Sequence, residues 1–160
     1  MKELEAIFEE MGFDPKAVRL PEADVIYAMA RTTTVVSREL AKVYKRHGLS
    51  IASFNLLMLL KHGKEPDSFT QQALGRRLVV SPSDMTGLLD RLEKKGLVRR
   101  APGKDRRSNL LQITPKGAKL LDEIWPHHVE VMTRLSRVIS RQEAELLAKA
   151  LVRVREAAGV

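Results

Sequence analysis

The stretch "RRAPGKDRRSN", residues 99–109, concentrates cationic chemistry on what its composition predicts to be an exposed turn. Pro102 and Gly103 stand near its centre, and five basic side chains surround the single acid Asp105. The five are Arg99, Arg100, Lys104, Arg106 and Arg107. Guanidinium and ammonium groups donate hydrogen bonds to phosphate oxygens, so this turn suits a polyanionic partner.

The excess positive charge of the chain is concentrated in one segment. Between Thr70 and Gly117 there are eleven basic and four acidic residues, a net charge of +7, whereas the remainder of the 160 residues carries +1. A charge that served solubility alone would be spread along the chain. Its concentration in less than a third of the sequence predicts a nucleic-acid surface.

Residues 81–95 are predicted to form a helix beside this surface. Ser81 caps it, Pro82 takes the first position, and Asp84 forms a variant of the capping box. At about 100° per residue, its apolar side comprises Met85, Leu88, Leu89 and Leu92. The opposite side carries Ser83, Gly87, Asp90 and Lys94, flanked by Thr86 and Arg91. Gly87 costs about 1 kcal/mol relative to Ala, a cost accepted where another molecule approaches the backbone.

Neighbouring elements complete a DNA-binding pattern. Thr70 caps a short helix, "QQALGRRL", and a tight turn leads to the helix that begins after Ser81. This arrangement predicts a helix-turn-helix whose second helix enters the major groove. The runs "LVRRA" and "LLQIT" predict a small hairpin. We interpret the hairpin as a wing whose basic turn can reach phosphates or the minor groove. The alternative is that the turn is only a solvated loop, as charge runs usually are.

Four further helices are predicted around this segment. The first is a long helix over 23–47, and the second follows Ser50 and ends at Gly63. The third begins at "TPKG" and contains Pro126, which should kink or split it. Ser140 and Glu143 form a capping box for the last helix. Its apolar face comprises Ala144, Leu147, Leu151 and Val154.

Residues 69–117 resemble the winged helix-turn-helix of the MarR family of bacterial and archaeal regulators. The most specific part is the D-x-R…L-T-x-x-G pattern of the family, with Ile in place of the usual Leu. It is matched by Asp105, Arg107, Ile113, Thr114 and Gly117. "LLDRLEKKGLV" is a second signature. Ala73 departs from the pattern, because the family often has Glu there, and leaves that helix start with Thr70 alone.

The resemblance implies a mainly α fold with a small β-hairpin wing, in which a winged helix-turn-helix is joined to N- and C-terminal dimerisation helices. Residues 1–49 are then the N-terminal extension and long dimerisation helix, 50–114 the DNA-binding domain, and 115–160 the C-terminal dimerisation helices. The implied partner is double-stranded DNA, read as a palindrome by a homodimer. The apolar stripes of the terminal helices are compatible, since a winged domain alone could not cover them.

The resemblance also implies roles for individual residues. Ser81, Ser83, Thr86 and Gly87 would meet the major groove. Arg76, Arg77 and Lys94 would meet phosphates, and Arg107 would enter the minor groove beside Lys104 and Arg106 in the basic turn. Asp105 would brace a wing arginine. Asp90, which otherwise faces phosphate, would pair with Arg91 or Arg106.

Many members of the family release DNA on binding small aromatic or phenolic acids. The candidates for such a ligand are Arg31, Arg38, His62 and Trp125. Each also has an ordinary explanation, as a salt-bridge, surface or core residue. His127 and Glu130 are spaced to share a metal ion, whereas the adjacent His127 and His128 are not. Two ligands do not make a site, so no metal or cofactor is expected.

Several classes are excluded or disfavoured. The absence of cysteine excludes disulfides and cysteine oxidation sensing. No apolar run approaches a membrane span, and the acidic N-terminus lacks a signal peptide, so a cytoplasmic protein is expected. No phosphate loop, nucleophile elbow or carboxylate pair indicates an enzyme. The prediction is a ligand-released transcriptional repressor. The alternative is an architectural or constitutive DNA-binding protein without a ligand.

Overall fold

The computed structural model describes residues 2–14, 24–65, 69–102 and 109–159. The chain divides into two compact units, Met1–Ile124 and Trp125–Val160. The described elements are α1 (Lys2–Glu10), α2 (Asp24–Arg46), α3 (Ile51–His62), α4 (Gln71–Leu78), α5 (Pro82–Lys94), β1 (Val98–Pro102), β2 (Asn109–Ile113), α6 (Pro115–Ser136) and α7 (Arg141–Ala157). The predicted fold class, mainly helical with a small hairpin, is confirmed. None of the helices in the described residues is both long enough and apolar enough to cross a membrane.

Four helices of the first unit, α3, α4, α5 and α6, begin where their capping residues predict. The hydroxyls of Ser50, Thr70 and Ser81 each accept a hydrogen bond from the backbone N–H three residues later. Thr114 does the same for α6, at 3.1 Å from the Gly117 nitrogen. Each cap satisfies one of the N–H groups that have no partner inside the helix. The polar residues of the sequence therefore set these boundaries.

The hairpin of β1 and β2 is attached to the segment that precedes α4. The strands pair antiparallel, from Val98 opposite Ile113 to Pro102 opposite Asn109. On its other edge, β2 forms an isolated bridge between Leu110 and Thr70, and the Leu111 N–H donates to the Phe69 carbonyl at 2.8 Å. The hairpin base is therefore bound to the start of the helix-turn-helix.

The core of the first unit contains the predicted apolar side of α5. Its buried members are Met85, Leu88, Leu89 and Leu92. The other elements contribute Leu56 and Leu57 of α3, Leu74 of α4, and Leu97, Val98 and Leu111 of the hairpin region. Burial of one Leu side chain contributes about 1.5 to 3 kcal/mol. This shared core fixes which side of α5 is presented to solvent.

Two features differ from the sequence-based expectation. Helix α1 was not predicted, yet Phe8 is buried and its ring lies edge-on to Tyr27, with the centroids 5.2 Å apart. Pro126 does not split α6, which continues from Pro115 to Ser136. That alternative was wrong because an interior proline removes only one backbone hydrogen bond, and a helix can tolerate the loss.

The second unit contains the end of α6 and the whole of α7. The predicted capping box at Ser140 and Glu143 is confirmed, and the hydrogen bonds to Ser140 lower the pKa of the Glu143 carboxyl. None of the residues of α7 is buried. Leu146 and Leu147 are 61% and 44% exposed, and Val138, before the helix, is 84% exposed. This unit thus presents large apolar side chains to solvent.

Candidate nucleic-acid interface

The polar side of α5 is open to solvent, as its pattern predicts. Ser83, Thr86, Asp90 and Lys94 are all exposed, whereas the leucines on the opposite side are buried. The exposed residues near the N-terminus of the helix are small. A helix with small polar side chains at its N-terminal half can lie close to the edges of bases in the major groove.

The hydroxyl groups at the start of α5 form a chain of hydrogen bonds. Ser81 Oγ donates to the Asp84 carboxylate at 2.6 Å and accepts from the Asp84 N–H at 3.2 Å. Ser83 Oγ lies 3.1 Å from Ser81 Oγ. Because the proton of Ser81 is used by Asp84, Ser83 is the donor of this third contact. The sequence predicted only a helix-capping role for Asp84. In the structure, its exposed carboxylate also lies at the surface beside the two serines.

The Thr86 side chain forms hydrogen bonds with both helices of the helix-turn-helix. Its hydroxyl donates to the Pro82 carbonyl, one turn earlier, at 3.0 Å. It also accepts from the side-chain amide of Gln71, the first residue of α4, at 2.8 Å. Gln71 was not predicted as a site residue, because nothing in the linear pattern shows that α4 and α5 bring these side chains together.

Gly87 lies beneath a basic side chain. A Cβ atom at this position would lie 3.4 Å from Arg91 Nη1, which is an ordinary contact with the end of a flexible side chain. The space above the Gly87 backbone is therefore bounded by the Arg91 guanidinium. A molecule that approaches the helix here also meets that positive charge.

The predicted phosphate-binding cations differ in their surroundings. Arg76 and Lys94 are exposed. Arg77 lies 3.0 Å from a Glu65 carboxylate oxygen, and its guanidinium carbon is 5.6 Å from the centre of the Phe69 ring. Arg77 would therefore have to exchange its carboxylate partner for a phosphate. Among the described residues, neither Arg76 nor Lys94 forms an ion pair with an acid, so they would need no such exchange.

The structure pairs Asp90 with Arg100 of β1, a partner that the sequence did not predict. Arg100 of β1 lies 3.8 Å from Asp90 and 3.1 Å from Glu93, through Nη2 and Nε respectively. The hairpin base runs beside the C-terminal half of α5, so a strand residue reaches both acids, which are three residues apart on the helix. Arg91 instead lies over Gly87. The other predicted partner, Arg106, lies outside the described residues.

The tip of the wing is also outside the described residues. It comprises Lys104, Asp105, Arg106 and Arg107, whose predicted roles remain predictions. The two arginines on the described strand both have partners. Arg99 donates to Gln112 on β2 at 2.9 Å, and Arg100 contacts the acids of α5. Of the five basic residues in the stretch 99–109, Arg99 and Arg100 therefore support the hairpin.

The candidate ligand residues fall in both units. Arg31 forms an ion pair with Glu10 of α1 at 2.6 Å, and Arg38 and His62 are exposed. Trp125 stacks on His128, with the ring centres 5.2 Å apart, and burial lowers the pKa of His128. In the part of the chain that the structure covers, no group of three His, Asp or Glu residues could hold a metal ion.

The short helix α4, the turn, the recognition helix α5 and the hairpin together define a winged helix-turn-helix, a class of DNA-binding protein. The model of the MarR family matches residues 47–108. The HTH-type transcriptional regulator MhqR of Bacillus subtilis is 33% identical over 128 residues, covering 79% of this chain and 86% of the relative. The chain therefore belongs to the MarR family; it is a DNA-binding transcriptional regulator and not an enzyme.

Two solved structures show the same fold. CouR from Rhodococcus jostii RHA1, bound to p-coumaroyl-CoA, has a TM-score of 0.73 and 23% identity, covering 86% of this chain and 95% of that chain. MepR from S. aureus, in a complex with DNA, has a TM-score of 0.73 and 20% identity, covering 82% of this chain and 96% of that chain. At these identities the likeness concerns the fold alone.

Proposed function

We propose that two copies of this chain form a homodimer that binds a palindromic operator and represses transcription until a small aromatic or phenolic acid releases it. The observation that carries the DNA-binding part is the exposed polar side of α5, with Arg76 and Lys94 exposed on α4 and α5. In this proposal, Ser81, Ser83, Thr86 and Gly87 meet the major groove. Arg76, Arg77 and Lys94 contact phosphates, and the wing residues Lys104, Arg106 and Arg107 contact the flanking backbone or minor groove.

The dimer is supported by the apolar surface of the second unit. Leu147 is 44% exposed, and Leu151 and Val154, on the same face of α7, are only partly covered. Surfaces of this kind are covered by a partner in stable proteins, and a symmetric second copy presents the same surface. A single chain with an uncovered face would lose the free energy of burying these side chains.

The dimer can be tested with charged substitutions on this face. We expect the double variant Leu147→Glu and Leu151→Glu to sediment as a monomer, because the carboxylates would lose hydration in the interface. Lys149→Glu is the matched control, since Lys149 is exposed and lies about 200° around the helix from Leu147. A double variant that sediments as the parent dimer, with unchanged circular dichroism, would contradict the proposed interface.

Selection of bound duplexes from a random pool tests the operator. We expect an inverted repeat with half-site centres about ten base pairs apart, and an affinity that falls steeply with salt. Footprinting of the selected duplex should show two symmetric protected regions. A single asymmetric site, or an affinity independent of salt, would count against a two-winged dimer.

The effector class is supported by the phenolic acyl group in the ligand of CouR, together with the basic and aromatic side chains available on this chain. A panel of hydroxylated benzoic and cinnamic acids, added to the complex with the selected duplex, should contain members that release the DNA. A reporter gene behind that duplex should be repressed by the protein and restored by the same acids. Binding that no acid alters would favour the constitutive regulator instead.

A further inference from the structure

Gln71 and Thr86 connect the two helices of the helix-turn-helix on its exposed side. Gln71 is the first residue of α4, and Thr86 is one turn into α5 on the solvent-exposed surface. Gln71 Nε2 lies 2.8 Å from Thr86 Oγ1. The Gln71 side chain therefore lies at the edge of the surface proposed to enter the major groove, although α4 is not the recognition helix.

The hydrogen bonds of Thr86 determine which way the Gln71 amide is turned. A threonine hydroxyl has one proton, and that proton is donated to the Pro82 carbonyl at 3.0 Å. Thr86 can then only accept from Gln71. If the amide were turned over, its carbonyl oxygen would face the hydroxyl oxygen with no proton between them. With the Thr86 proton on the Pro82 carbonyl, the network assigns the NH₂ group of Gln71 to the side facing Thr86.

This orientation leaves the carbonyl oxygen and the second N–H of Gln71 to face another partner. Adenine presents an acceptor, N7, and a donor, the N6 amino group, in the major groove, and a glutamine amide matches both at once. Guanine presents two acceptors there, thymine one acceptor and a methyl group, and cytosine one donor. Adenine is the base that satisfies both amide groups.

We propose that Gln71 is a specificity-determining residue that binds an adenine in each half-site, and that Thr86 positions its amide. The inference rests on the proposed binding of DNA by α5. It assigns base discrimination to a residue of the helix that precedes the recognition helix. Thr86 lies in the groove but acts through Gln71.

The test uses the full chain and the duplex selected from the random pool by the parent protein. Every position of one half-site is replaced in turn by each of the other bases, and affinities are titrated for the parent, Gln71→Ala, Gln71→Glu and Thr86→Val. We expect Gln71→Ala to bind the selected duplex about tenfold more weakly, and to be indifferent to the base at one position where the parent requires adenine.

The glutamate variant separates base recognition from a structural role. A carboxylate offers only acceptors, so Gln71→Glu should prefer cytosine, whose N4 amino group is a donor, at that same position. Thr86→Val removes the positioning acceptor while keeping the shape of the side chain. It should reduce the preference for adenine without creating one for cytosine.

Gln72→Ala is the matched control, because Gln72 is the next residue along α4 and is exposed. It should retain the affinity and base preference of the parent. If Gln71→Ala and Gln71→Glu weaken binding equally for all bases at every position, or leave binding unchanged, the assignment is overturned while the proposed function stands. If the parent protein selects no sequence from the pool, the proposed function falls, and the assignment of Gln71 falls with it.

Discussion

Substitution of Gly117 by alanine tests the contact that joins the hairpin to α6. Gly117 is buried in the first turn of α6, and a Cβ atom there would lie 2.3 Å from the Leu97 carbonyl oxygen and 2.9 Å from Ile113 Cγ1. The same carbonyl accepts the Thr114 N–H at 3.0 Å. The alanine methyl group therefore cannot be accommodated unless the backbone between α5 and β1 moves.

The expected magnitude follows from two opposing effects. Overpacking of a buried site costs about 1 to 3 kcal/mol, and the upper end applies here because the obstacle is backbone rather than a flexible side chain. Alanine returns up to about 1 kcal/mol in helix propensity. We therefore expect Gly117→Ala to lower the free energy of unfolding by about 2 kcal/mol, which corresponds to a Tm lower by about 4 to 8 °C.

Urea denaturation followed by circular dichroism measures this difference, and Gly87→Ala provides the matched control. At Gly87 the new methyl group would meet only the Arg91 guanidinium at 3.4 Å, so the variant should be as stable as the parent or more stable, by up to about 1 kcal/mol. If Gly117→Ala unfolds at the same urea concentration as the parent, the close packing of α6 on Leu97 is refuted. If both variants are destabilised equally, the effect is not specific to the clash.

Three further predictions concern separate sites. Val79 has a left-handed φ of 52° and is 77% exposed. Val79→Gly should therefore raise the free energy of unfolding, measured in urea, by about 1 kcal/mol, because the relief of backbone strain exceeds the cost of a more flexible unfolded chain. An unchanged free energy of unfolding would show that the turn is unstrained. In salt titrations, Arg76→Ala should weaken binding to all duplexes and lower the slope of log affinity against log salt concentration by about one. Ser83→Ala should instead reduce the base preference at one position of each half-site and leave that slope unchanged. The reverse result would exchange the roles of the two residues. Burial raises the pKa of Tyr44 from 10.0 to about 12, so its neutral form stabilises the fold fully below pH 10 and the contribution is lost as pH rises through 12. Denaturation between pH 9 and 12 should show a smaller loss in Tyr44→Phe than in the parent, and equal losses would assign the pH dependence elsewhere.

The elements of the winged domain were predictable because their signals are local. A Ser or Thr cap, a proline at the first position and one apolar side of a helix depend only on neighbours in the sequence, and Thr70, Ser81 and Thr114 stand at the starts of the predicted helices. The exposed side of α5 followed from the helical period alone. Helix α1 lacked a comparable start signal, and its buried Phe8 is explained only by a contact with Tyr27 on another helix.

The side-chain partners at the site were not predictable in the same way. The pairing of Arg100 with Asp90 and Glu93 depends on how β1 lies against α5, and the contact of Gln71 with Thr86 depends on how two helices cross. Neither arrangement leaves a fixed spacing in the sequence. Charge composition identified the cationic segment, but it did not distinguish basic residues that support the hairpin from those that remain exposed.

The short connection between α5 and β1 has a consequence for the mechanics of binding. Only residues 95–97 separate these elements, Leu97 and Val98 are buried, and Arg100 joins the strand to the helix. The base of the hairpin therefore keeps a set distance from α5. A duplex that meets both must adopt the spacing that the protein presents, and smooth bending of a 20 to 30 base-pair site costs about 1 to 6 kcal/mol, depending on its base steps. The elasticity of the operator, at bases that no side chain touches, then contributes to which sites are bound.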